Sequence, residues 1–156
     1  MLNSFLSPYY LSTITLLDAT MTFLDKAFIV LTMTYVLIFG DIDISVGSTV
    51  ALSSVVMATV YQAGLPMGLS MGVCLLVGIL CGLFNGILIV TFKRLSSVII
   101  SLSNMIIFRG IAYIILKDQA AGGFPQWFNF LGWGYIKGIP FILIVFVVFA
   151  LIFGLL

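Results

Sequence analysis

The chain has 156 residues, a net charge of +1, 63% hydrophobic and 7% charged side chains, and a mean hydropathy of +1.34. Soluble domains carry about 25% charged residues, so the composition excludes one and points to an integral, multi-pass membrane protein. The near-neutral balance gives no basis for nucleic-acid binding, and a chain without histidine and with only Cys74 and Cys81 gives none for a metal centre.

Residues 1–12, M-L-N-S-F-L-S-P-Y-Y-L-S, are polar and aromatic, with Pro8, Tyr9 and Tyr10 in sequence. They read as an interfacial segment feeding a helix that Ser12 caps; a basic start and a long apolar run, the marks of a secretory signal, are missing. Residues 13–26 hold Asp18, Asp25 and Lys26. They form either an amphipathic helix on the membrane surface or the wet first turns of the next span.

The stretch 39–48, F-G-D-I-D-I-S-V-G-S, is the most informative. Apolar segments flank it, Ala27 to Phe39 before and Thr49 to Tyr61 after. At ~1.5 Å per residue each reaches about 20 Å as helix, short of a ~30 Å hydrocarbon core. Joined, they make one transmembrane helix interrupted at Gly40, Ser45, Gly47 and Ser48. Lipid tolerates such a break only where the freed backbone lies in protein or lines a cavity, and transporters use it on the substrate path. Asp43 reads in two compatible ways, as the N-cap of the second limb or as part of a solute path. Asp41 caps the same end, faces water, or joins that path. An acid within a membrane segment is a functional candidate by default.

Gln62 to Pro66 is a turn with both glycine and proline breakers. Gly68 to Phe92 follows as a full-length span. Gly78, Gly82 and Gly86 recur at four-residue spacing and make a small-residue ridge suited to close helix packing. Cys74 and Cys81 read as small packing residues, and Asn85, beside the ridge, needs an interhelical hydrogen bond or a place on the path. Lys93 and Arg94 are the only adjacent basic pair, so the positive-inside rule makes their loop cytoplasmic. The span before them then runs inward and the next one outward.

Ser96 to Leu116 is a moderately polar span in which Ser97, Ser101 and Asn104 share one face. Arg109, about two turns from its outer end, either snorkels outward or pairs with Asp41 or Asp43. Lys117 to Ile136 is an outer loop rich in aromatics. Within it Pro125 begins a short helix over 125–131, lying in the interface or lining a vestibule. Residues 138–156 form a last apolar span that stops without a polar anchor, which suggests truncation.

Four ordered motifs resemble one family. G-D-I-D-I-S-V-G-S-T-V-A-L-S from Gly40 is similar to the G-G-I-D-[LI]-S-V-G-S signature of permease subunits of bacterial ABC sugar importers. G-L-F-N-G-I-L-I at 82–89, V-I-I-S-L-S-N-M-I-I-F-R-G at 98–110 and G-G-F-P at 122–125 follow in the family's order, the last most like its autoinducer and rhamnose branch. The sequence departs from the pattern at Asp41, where a second glycine is usual, and at Ser96 and Ser97, where proline is frequent. An amino-terminal span usual in the family is missing, and so are the coupling loop and further spans that follow in it.

The resemblance implies half of a translocation path for a monosaccharide or sugar-like signal, in the bacterial plasma membrane. It also implies a second permease subunit, identical or not, cytoplasmic ATP-binding subunits and an extracytoplasmic solute-binding protein. The expectations are therefore an all-α membrane protein, a polytopic helical bundle with a helix broken at 39–48, forming a single partial permease domain over 1–156. Its expected helices lie near 13–39, 48–62, 68–92, 96–116, 125–131 and 138–156. Asp41, Asp43, Asn85, Asn104 and Arg109 are the candidate path or gate residues. No cofactor and no catalytic residue are expected, and the chain lacks a G-x-x-x-x-G-K-[ST] nucleotide loop. The alternatives are a permease for branched-chain amino acids and a non-transporting membrane assembly subunit.

Overall fold

The computed structural model describes residues 13–117, 119–136 and 138–155, with side chains over 19–117, 119–136 and 138–154. The segment 1–12 and its cap Ser12 lie outside the described residues, as does the side chain of Asp18. The elements in chain order are α1 (Thr13–Ile38), α2 (Val46–Gln62), α3 (Met67–Thr91), α4 (Ser97–Leu116), α5 (Gln126–Trp133), β1 (Tyr135–Ile136), β2 (Ile139–Pro140) and α6 (Phe141–Leu155). The all-α membrane class holds. Residues 19–38 of α1 and the whole of α3 and α4 are long and apolar enough to cross a membrane.

The first limb corrects the expectation that neither flank of the break spans by itself. α1 is continuous over 26 residues, about 39 Å at the helical rise. Thr13 to Ile38 contains no glycine or proline, so Asp25 and Lys26 are carried as exposed positions on one helix, Lys26 resting over the Phe23 ring at 5.3 Å. Residues 13–26 are therefore continuous with the span rather than a separate helix. α2 has 17 residues, about 25 Å, and does fall short of the hydrocarbon thickness.

α1 ends in a Schellman motif. Gly40 sits at φ +84°, its N–H bonds Leu37 O at 3.0 Å, and the Asp41 N–H bonds Val36 O at 3.3 Å. A left-handed residue with this bond pair is a standard helix stop, and glycine takes that conformation without the Cβ penalty. The helical interruption covers 39–45, and Gly47 and Ser48 lie in the first turn of α2.

The described chain falls into two compact units. One holds α1 up to Thr32 together with everything from Pro125 onward, and the other holds Met33 to Phe124. In the first, the Phe28 ring meets Phe146 and Phe149 edge-on at 5.3 and 5.9 Å, and Phe130 packs on Phe141 at 5.8 Å. A two-stranded antiparallel ribbon, unexpected from the sequence, pairs Tyr135 with Pro140 and Ile136 with Ile139. Gly138 at φ +83° lies in its turn.

In the second unit α2 packs along both α3 and α4. Leu52, Cys81, Phe108 and Ala112 form its apolar core, with Val55, Val56 and Val77 against it. Helix faces away from this core stay apolar and open: Leu75, Ile79 and Val90 on α3 are 70%, 69% and 67% exposed. Patches of that extent suit lipid or other apolar helices rather than water.

Candidate functional site

The residues at the break are held by a chain of side-chain hydrogen bonds within the second unit. Asp43, three residues before α2, accepts the Ser45 N–H at 2.8 Å and the Ser45 hydroxyl at 2.6 Å on Oδ1. This is an aspartate turn over the residues that lead into the helix. On Oδ2 the same carboxylate accepts Asn85 Nδ2 from α3 at 2.9 Å. Asn85 Oδ1 in turn accepts Asn104 Nδ2 from α4 at 2.7 Å. The donors run one way, from α4 to α3 to the carboxylate at the break.

Burial makes this chain energetically weighty. Asn85 and Asn104 are 4% and 2% exposed, and Ser45 is 1% exposed. A hydrogen bond to a charged group contributes about 1.5–3 kcal/mol, and an orphaned buried partner costs a similar amount. Among the described residues no buried side-chain nitrogen or oxygen lacks a partner, so the polar cluster is closed.

The first turn of α2 is tied locally. Ser45 is its N-cap, but its hydroxyl goes to Asp43 and makes no capping bond. The Ser45 carbonyl accepts the Ser48 N–H at 3.0 Å, the Thr49 N–H at 2.9 Å and the Ser48 hydroxyl at 2.6 Å. Asp43 is therefore a brace two positions before the cap, which is Ser45. Ser101 on α4, with no exposed surface, accepts the Ile44 N–H at 3.2 Å and lies 3.4 Å from Ile42 O.

The five candidate path residues separate into two groups. Asp43, Asn85 and Asn104 come together, whereas Asp41 and Arg109 are exposed and stand apart from the clamp. Arg109 lies five residues beyond Asn104, about 140° round the helix, and among the described residues it forms no ion pair with Asp41 or Asp43. Ser101 was the residue that sequence reasoning left out of the site. Its signal was present, since it shares the polar face of Ser97 and Asn104.

Among the described residues nothing packs closely on the glycine ridge. A Cβ added at Gly78, Gly82 or Gly86 would meet nothing within 4 Å. α3 instead buries Met67, Ser70, Cys81 and Asn85, a stripe one position behind the ridge and so turned by about 100°.

The loop after α4 is anchored where the Tyr61 and Phe124 rings meet at a tilt, 5.7 Å apart, and the Tyr61 hydroxyl donates to Gly123 O at 3.4 Å. Among the described residues no three potential ligands gather to hold a metal ion. Ser45 is buried, while Asp43 beside it is half-buried. What the arrangement can do is fix an opened backbone inside a helical bundle.

Apolar spans, a chain that leaves α1 at Gly40 and enters α2 at Val46, and a buried polar clamp at that interruption define an α-helical membrane bundle. Residues 15–156 match the family described as the branched-chain amino acid transport system permease component, and the chain belongs to that family. The autoinducer 2 import system permease protein LsrD of Yersinia enterocolitica is 37% identical over 147 residues, which is 90% of this chain and 44% of that protein. The protein of the same name from Escherichia coli K12 is 33% identical over 156 residues, 96% of this chain and 47% of the relative. That of Shigella flexneri stands at the same values. The chain thus spans about half the length of the curated relatives it matches. No solved structure matches it.

Proposed function

We propose that the chain belongs to a permease subunit of an ATP-driven importer for a sugar-like solute, in the bacterial inner membrane. The observation that carries this reading is the break at 39–45, opened within an apolar bundle and held by the Asp43–Asn85–Asn104 chain. A helix so interrupted has an energetic rationale where its backbone serves a path. Relatives at 33–37% identity that import autoinducer 2 favour a small, polar, sugar-like cargo.

In this reading the roles divide. Asp43, Asn85 and Asn104 hold the break in shape. Asp41, exposed beside it, is the acid that can meet a solute or a gate, and Arg109 serves the outer end of α4. Solute arrives from an extracytoplasmic binding protein and crosses between this subunit and a second permease subunit. It leaves when cytoplasmic ATP-binding subunits reset the pair, by alternating access. The subunit itself does no covalent chemistry.

A second reading is import of branched-chain amino acids, favoured by the description of the family that the chain matches. Both readings are tested by a chimera in which residues 15–156 replace the matched half of the Escherichia coli relative, in cells lacking that relative. Autoinducer 2 uptake that excess pentose inhibits and leucine does not supports the sugar-like reading. Leucine uptake supports the other. A chimera that inserts and assembles but moves neither leaves a membrane assembly role.

A further inference from the structure

We infer that Ser101 is a positioning residue that latches the open segment 39–45 onto α4, an inference that rests on the proposed role of the break in a solute path. Phe39, Gly40 and Asp41 bond back to carbonyls of α1, and further along the segment Ser101 supplies a partner: its oxygen accepts the Ile44 N–H at 3.2 Å. Its single O–H faces two carbonyls, Ile42 O on the segment at 3.4 Å and Val98 O in its own helix at 3.2 Å. A hydroxyl has one proton to donate. It therefore alternates between a state bonded to the segment through both donor and acceptor and a state bonded through the acceptor alone.

The surroundings suit a latch. Ser101 is fully buried, so water does not compete for either bond. On the segment, Phe39, Ile42 and Ile44 are 84%, 46% and 39% exposed, which leaves few side-chain contacts to hold it. Gly40 at φ +84° gives it a pivot at one end, and the Asp43 brace fixes the other. The exposed acid Asp41 lies between the pivot and the latch, so the length of stay in the doubly bonded state sets how firmly that carboxylate is presented.

The test uses the 156-residue chain in lipid nanodiscs, with amide hydrogen exchange read at Ile44. Ser101→Ala is expected to speed exchange there about tenfold, the factor that one net hydrogen bond of ordinary strength is worth. Exchange along α3 should change far less than at Ile44, and Ser101→Thr, which keeps the hydroxyl, should restore the slow rate. Unchanged exchange at Ile44, or a rise spread evenly over all helices, overturns the latch. The same Ser101→Ala change in the Escherichia coli chimera should lower maximal uptake severalfold at an unchanged half-saturating concentration. Unaltered uptake overturns the role in transport, while a parent chimera without uptake counts against the import reading and leaves the latch to be judged by exchange.

Discussion

Asn85 on α3 donates to the Asp43 carboxylate at 2.9 Å, and this bond ties the irregular segment to a helix 42 residues further along the chain. Asp43 accepts from the Ser45 N–H, the Ser45 hydroxyl and Asn85, using both of its oxygens. A carboxyl group can take donors on either oxygen, whereas an amide has one oxygen to offer. Asp43→Asn keeps the shape but turns an NH2 group toward one set of donors. It is expected to cost about 2–3 kcal/mol of stability, measured by denaturant unfolding in micelles. A loss below about 0.5 kcal/mol, within the range of an ordinary surface change, would mean that the carboxylate is not the acceptor described.

The stop at the end of α1 is a backbone matter. Gly40→Ala places a Cβ at φ +84° and is expected to destabilise by about 1–2 kcal/mol. Gly72, inside α3 with nothing within 4 Å of an added Cβ, is the control. Gly72→Ala should stabilise by about 0.5–1 kcal/mol. Opposite signs for the two in thermal unfolding separate a conformational requirement from a general intolerance of side chains.

The open glycine face yields a third expectation. Gly82→Leu adds bulk where nothing lies within 4 Å, so the isolated chain should keep its helix content and melting temperature. Cys81→Leu, one residue away, enters the core beside Leu52, Phe108 and Ala112 and should cost about 1–3 kcal/mol by overpacking. Equal damage from both would mean that the ridge is packed after all.

Asp41 separates transport from a purely structural reading of the break. In the Escherichia coli chimera Asp41→Asn should leave membrane insertion and abundance unchanged and reduce autoinducer 2 uptake at least tenfold. Radiolabelled uptake measured against immunoblotted protein checks it. Uptake equal to the parent's would remove Asp41 from the path.

The break was legible because its signals are local: Gly40 for the left-handed stop, paired aspartates within an apolar run, and serines where the next helix begins. Whether 13–26 forms a separate surface helix was not, since hydropathy changes near Asp25 and Lys26 while nothing there stops backbone hydrogen bonding. The need of Asn85 for a partner was legible from its solitude in an apolar span, but which partner is set by how α3 lies against the segment. The glycine ridge shows the same limit, since spacing identifies a face of a helix and not its neighbour. The ribbon at Tyr135–Pro140 depends on one turn around Gly138, too short to leave a periodic trace. Ser101 was hidden by its ordinary position on a polar stripe, and only the open backbone opposite gives its hydroxyl a task.

The account depends most on the clamp being one coupled unit. A double-mutant cycle with Asp43→Ala and Asn85→Ala, read as unfolding free energy in micelles, tests this directly. The expected coupling is above about 1 kcal/mol, beyond the ~0.6 kcal/mol average for interhelical hydrogen bonds in a membrane protein, with the two single losses summing to more than the double loss. Single losses that add to within about 0.3 kcal/mol would contradict it.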